Sequence, residues 1–299
     1  MTGLSPPAWL WVVFTVAAAA AQTARNAMQR DLIQSVGTSG ATYVRFLFGL
    51  PFAALFLSIA CVFLGPPPSP GSGVLVWAFA GGVTQILATG LLLAAMAERS
   101  FVVAIAYTKT EPVQVALFGL AFLNEHVTPQ LALAISVATC GVMVMSWPRN
   151  GEASGWRAPL LGLGSAALWA FSAVAYRAAI LALGAPSFLL GAATVLTITL
   201  ALQSALIVAG LLMFDRAQLM AIIAQWRASL RAGFVGALGS QLWFFAFAIE
   251  SAARVRTMGL IEMVFAQIVS RRVFRQTASP REYAGMALTL TGVLLLLLA

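Results

Sequence analysis

Glu111 and Glu262 stand inside long apolar runs, in a chain of 299 residues that contains only seven glutamates. A charged side chain at the centre of a membrane-spanning helix costs roughly 2.5–3.5 kcal/mol on insertion scales, so such residues are kept for a purpose. Two carboxylates facing each other would bind a cationic group or share a proton, and their nearness would separate the two titrations. The competing reading is structural: Glu111 pairs with Lys109 or Arg45, and Glu262 sits near a helix end beside Arg254 or Arg256. Lys109 is two residues from Glu111 and does not share its helix face, so Arg45 is the expected structural partner.

Other polar residues repeat at helical spacing. Gln22, Asn26 and Gln29 align in the first apolar run, Gln85 and Thr89 in the third, and Ser165, Trp169, Ser172 and Tyr176 in the sixth. Each stripe reads either as a cavity wall or as a helix–helix contact, since small and hydroxyl residues are what packed helices use in lipid. The sixth-run stripe, with two aromatic rings, points most toward a site. The candidate substrate-binding or coupling residues are therefore Glu111, Glu262, Lys109, Arg45, Gln85, Trp169, Tyr176, Ser172, Gln22 and Asn26. Catalytic residues, metal ligands and cofactors are not expected. His126 has no neighbouring nucleophile or ligand, Cys61 and Cys140 lie in apolar runs, and no Gly-rich phosphate loop with a lysine occurs. Glu250 and Arg254 have the i, i+4 spacing of a helix-end ion pair.

Helices must hold these groups in a membrane. The chain is 61% hydrophobic and 9% charged, whereas soluble domains carry about 25% charged residues. Apolar runs bounded by Pro, Gly and charge predict spans over 8–28, 41–64, 74–96, 101–123, 129–147, 159–182, 186–213, 232–251, 257–275 and 280–298. The first imitates a signal peptide, but Met1 to Pro7 lack Lys and Arg, so it is read as a span. The net charge of +8 comes from basic residues in short linkers, which points to membrane orientation and not to nucleic acid. The expected fold is an all-α membrane protein of about ten transmembrane helices.

A shift of 151 residues superimposes Glu111 on Glu262, Pro129 on Pro280, and Gly141-Val142 on Gly292-Val293. Thr128 and Ser279 precede the two prolines as N-caps, and Ser279 with Glu282 has capping-box spacing. The polar stretch Arg149 to Arg157 is the seam. The expected organisation is 1–148 and 158–299 as five-helix repeats, joined by a connector over 149–157. A repeat of five spans enters the membrane from the opposite side the second time, so the repeats are inverted and a site is expected near the bilayer midplane.

Glu111-Pro112, Phe122-Leu123-Asn124-Glu125, Gly141-Val142 and Arg45-Phe46 resemble the motifs of the EamA-like drug/metabolite transporters. In that family a proline interrupts the fourth helix, an apolar-Gly-Glu element closes it, and Gly-Val sits late in the fifth. Asn124 stands where Gly is usual, His126 where a basic residue is common, Met263 where Pro would follow Glu262, and Gln276 where Glu would stand. The resemblance implies secondary transport, often export, of small metabolites such as amino acids, amines or drugs.

Three functions are thus weighed: an alternating-access exporter of small amphipathic metabolites, a proton-coupled cation or drug efflux carrier using the intramembrane carboxylates, and a membrane-embedded enzyme, which lacks an assembled acid–base set. The expected partners are a small-molecule substrate, protons in the coupled version, and the lipid bilayer, with a monomer or homodimer as the assembly. The location expected is a bacterial-type inner membrane. Arginines crowd the linkers after odd-numbered spans, against Arg177, Arg254 and Arg256 on the other side, so the charge bias places both termini outside the cytoplasm. The resemblance implies termini inside.

Overall fold

A computed structural model describes residues 6–98, 108–146, 156–265, 268 and 279–298, with the main chain alone at 26, 27, 29–31, 33, 34, 93, 96–98, 145, 146 and 158. Every regular element among the described residues is helical. In order they are α1 (Leu10–Leu47), α2 (Leu50–Leu64), α3 (Ser72–Glu98), α4 (Glu111–Leu123), α5 (Pro129–Ser146), α6 (Arg157–Leu183), α7 (Phe188–Phe214), α8 (Arg216–Ala224), α9 (Trp226–Ile249), α10 (Ala252–Met258) and α11 (Pro280–Leu298). Among the described residues six stretches are long and apolar enough to cross a membrane, and Leu10–Arg25, Glu111–Leu123 and Pro129–Val144 are shorter apolar helices. Large apolar side chains such as Phe63, Leu117, Leu163, Met213 and Leu294 are exposed, as lipid-facing helices require. The connector over 149–157 falls largely outside the described residues, as do Gln276 and nine of the nineteen residues of the expected span 257–275.

Several expected boundaries are corrected. The polar stretch after the first run is itself helical, and Leu10–Leu47 is two helices that meet at a kink at Gly37, at φ 69° and ψ 173°. The second run remains one apolar stretch, as expected, within Ser35–Leu64, and carries a two-residue turn between Leu47 and Leu50. Pro51 lacks an N–H and its ring clashes with the carbonyl four residues back, so the helix restarts there. Pro112 does the same for the fourth run. Lys109 and Thr110 form a turn, and α4 begins at Glu111. The ninth run is broken without a proline, by a 3₁₀ turn over Gly259–Ile261 after which helical residues 262–265 resume.

Two compact units emerge, and neither is a sequence half. One comprises Met1–Val83 and Ala175–Ile249, the other Thr84–Val174 and Glu250–Ala299. In the first, α9 lies along α1 through glycines. A Cβ on Gly239 would meet Ala21 at 3.4 Å, and one on Gly233 would overlap the carbonyl of Phe48. Hydroxyls tie neighbouring helices to one another's backbone: Ser204 Oγ donates to Phe46 O (3.1 Å) and Thr197 Oγ1 to Ala53 O (3.1 Å).

In the second unit α5 packs against α11 with a local two-fold relation. A Cβ on Gly141 would overlap the backbone and hydroxyl of Thr289, and one on Gly292 would overlap Ala138. Because 292 is 141 shifted by 151, and 289 is 138 shifted by the same amount, the two contacts are one contact made twice. Both helices begin as expected. Thr128 Oγ1 accepts from Leu131 N (3.1 Å), and at Ser279 the full box forms, with Ser279 N donating to Glu282 Oε2 (2.7 Å) and Glu282 N to Ser279 Oγ (3.4 Å).

Candidate functional site

In the second unit, Glu111 is the first residue of α4. Its carboxylate is gripped in bidentate fashion by Arg256 of α10: Nε donates to Oε1 and Nη2 to Oε2, both at 2.6 Å. The side chains are only 12% and 14% exposed, so the pair is shielded and the geometry is that of the strongest charged contacts. This corrects the expected partner. Arg45 lies in the first unit, its guanidinium 4.5 Å from the ring centroid of Phe46. Both oxygens of Glu111 are thus held by a guanidinium and not by a second carboxylate. The expected ion pair of Glu250 with Arg254 is present at 3.6 Å, which leaves Arg256 to the other glutamate.

Glu262 is half-buried in the same unit, at the point where the helix resumes after the 3₁₀ turn. Glu111 likewise follows a turn at which helix restarts. Each of the two repeat-related glutamates therefore sits at the start of helix after a break, where the exposed N–H groups favour a carboxylate.

The other candidates of the second unit are Lys109, Gln85, Trp169 and Ser172. Lys109, half-buried, occupies the turn before α4. Gln85 and Trp169 are half-buried and Ser172 is buried, but Thr89 Oγ1 donates to Gln85 O within its own helix (2.9 Å) and Ser165 Oγ donates to Ala88 O (2.7 Å). The serine at the head of the sixth-run stripe is thus a packing bond. Farther along α4, Phe118 and Phe122 meet Phe171 edge to face, with centroids 6.0 and 5.5 Å apart. That aromatic group was not anticipated, since its members lie in two separate runs.

Asn124, where the family motif has Gly, closes α4 at φ 53°. Asparagine is among the few side chains that tolerate this left-handed conformation, so the departure preserves the turn.

The first unit holds Tyr176, Arg45, Gln22 and the main chain of Asn26, whose side chain lies outside the described residues. Tyr176 Oη donates to Gly81 O (3.0 Å) and accepts from Gln203 Nε2 (3.4 Å), which also donates to Gly82 O (3.2 Å). Gly81 is required there, because a Cβ would overlap the Tyr176 ring. Gln22 Oε1 accepts from Trp243 Nε1 (3.2 Å). Gln203 and Trp243 were missed; Gln203 is the lone amide in the apolar run of α7, and that isolation was the available signal.

The profile of the EamA-like transporter family matches the chain twice, over residues 9–147 and 156–298. The chain belongs to the EamA-like transporter family. The two matches are its two EamA-like repeats, and a membrane transporter of the drug/metabolite type acts on a small molecule across a lipid bilayer. The EamA-like fold also appears in solved structures. One, described only as a crystal structure of a protein, superimposes with a TM-score of 0.67 at 15% identity, covering 96% of this chain and 97% of the other. At that identity the likeness concerns the fold. No curated protein sequence matches this EamA-like chain significantly.

Proposed function

We propose that this EamA-like transporter is a secondary exporter of small amphipathic metabolites, such as amino acids or amines, working by alternating access. The observation that carries the reading is the shielded Glu111–Arg256 pair, held between a helix start and a short helix that ends in a 3₁₀ turn. Interrupted helices are the usual places where transporters build a site, and opening and closing of a shielded ion pair would give that site the two states that alternating access needs. Opened, it offers one anionic and one cationic handle, suited to the ammonium and carboxylate of an amino acid. Phe118, Phe122 and Phe171 supply an apolar surface beside α4 for the rest of the solute.

A second reading rests on the matched helix breaks at Glu111 and Glu262: proton-coupled efflux of a cation or drug, with Glu262 carrying the proton. Uptake of a radiolabelled amino acid panel and of a cationic dye into inverted vesicles, with and without a pH gradient, separates the two. Glu111→Gln is expected to abolish uptake in either reading. Glu262→Gln is expected to remove only the response to the gradient, and only if protons are coupled. Wild-type uptake by Glu111→Gln would reject the role of the pair.

A further inference from the structure

The first unit holds an open groove of about 320 Å³, lined by Met28 of α1, Phe52 of α2, and Leu230, Arg231, Phe234 and Val235 of α9. The Phe52 and Phe234 rings meet edge to face with centroids 5.2 Å apart, which ties α2 to α9 along it. Met28, Leu230 and Phe234 are exposed. In a chain that crosses a bilayer, an exposed apolar groove is filled by a lipid chain or by another protein. The charges beside it decide between them.

Arg227 and Arg231 are both exposed and, four residues apart on α9, share one face. Among the described residues neither forms an ion pair. The Arg227 guanidinium lies 5.3 Å from the ring centroid of Trp226, which is 51% exposed at the first residue of the span Trp226–Ile249. A tryptophan at the end of a span marks the headgroup level. At a rise of about 1.5 Å per residue, Arg231 lies about 7.5 Å and Phe234 about 12 Å farther along the helix. Side chains on a helix tilt toward its N-terminus, so the Arg231 stem follows the apolar wall while its charge reaches back toward Arg227. Positive charge thus stands at the headgroup level and the apolar groove at the depth of the acyl chains.

We propose that this groove is a binding site for one anionic phospholipid, its acyl chain lying along Met28, Phe52 and Phe234 and its phosphate held by Arg231 and Arg227. A free phosphate would use the arginines without the groove, and a zwitterionic lipid the groove with little gain from the arginines. Their vertical order matches a ligand that has both parts, and basic pockets between membrane helices are suited to such headgroups. The site lies in the first unit, apart from the Glu111–Arg256 pair, and does not depend on the transport reading.

The test uses the full chain, stripped of lipid in dodecyl maltoside and titrated with dioleoyl phosphatidylglycerol or dioleoyl phosphatidylcholine. Native mass spectrometry gives the Kd of the first bound lipid. Phosphatidylglycerol is expected to bind at least about fivefold more tightly, as one surface arginine alone provides, and to raise the unfolding temperature. Arg227→Gln and Arg231→Gln are each expected to weaken it about fivefold and together to bring it to the level of phosphatidylcholine. Arg231→Lys keeps the charge and is expected to keep most of the preference. Arg281→Gln, exposed at the start of α11, is the charge-matched control and is expected to bind as the wild type. Leu230→Trp fills the groove and is expected to weaken both lipids; Met28→Trp replaces it if that variant does not fold.

Equal binding of the two lipids by the wild type overturns the proposal, as does a loss in Arg281→Gln equal to that in Arg231→Gln. Unchanged phosphatidylglycerol affinity in the groove-filling variant removes the acyl seat and overturns it too. Stabilisation by glycerol phosphate equal to that by phosphatidylglycerol assigns the arginines to a free phosphate instead. A lipid-free dimer that the groove-filling variant dissociates assigns the groove to a second copy of the chain, and either result overturns the lipid site.

Discussion

Glu111 and Arg256 illustrate what a single buried contact contributes and what local sequence reveals of it. The bidentate pair joins residues 145 positions apart, so no i, i+4 rule could find it. That Glu111 needed a partner was legible, because a carboxylate in an apolar run is costly; which partner it has depended on the break at Gly259–Ile261, which turns Arg256 into the end of a short helix. Removing one member of such a pair strands the other and costs about 3–5 kcal/mol. Glu111→Gln and Arg256→Gln are each expected to lower the unfolding temperature of the purified protein markedly. The exchange Glu111→Arg with Arg256→Glu is expected to recover part of that loss, with a coupling energy resolved by a double-mutant cycle. Additive effects, with no recovery in the exchange, would show that the two residues do not act together.

Among the elements, the paired contacts of α5 and α11 give the repeat a physical consequence. Gly141 and Gly292 are repeat mates by sequence, and each is needed because the facing backbone leaves no room for a Cβ. Gly141→Val and Gly292→Val are therefore expected to destabilise by similar amounts, about 1–3 kcal/mol or more from overpacking, measured as loss of unfolding temperature in detergent. A large effect at one position and none at the other would break the symmetry. The starts of these helices were readable because capping is local: Ser279, Pro280 and Glu282 specify an N-terminus within four residues. The turn before Pro51 was not read, since the apolar run continues across it, and hydropathy reports burial in lipid without reporting backbone hydrogen bonds. The nine-residue α8 was also missed. It lies between two spans and is bounded by Asp215 and Gln225, with no apolar run of its own length.

At the scale of the molecule, the distribution of arginine decides which way the chain faces, and the structure changes which arginines count. Arg25 is buried within α1 and drops out of the tally. Arg216, Arg227 and Arg231 remain, exposed on and beside α8. Trp226 is 51% exposed there, with the Arg227 guanidinium 5.3 Å from its ring centroid. Tryptophan and arginine at the ends of spans mark a membrane–water interface, and an excess of arginine marks its cytoplasmic side. With the three spans that the sequence predicts after α8, over 232–251, 257–275 and 280–298, that assignment puts the C-terminus outside the cytoplasm. A reporter fused after Ala299 and active only outside the cytoplasm is expected to be active. Activity of a cytoplasm-restricted reporter at the same position would reverse the orientation. It would also place the α8 arginines on the outer face, where the positive-inside rule gives them no role, and would leave a direct function at the membrane surface as the reason for their exposure.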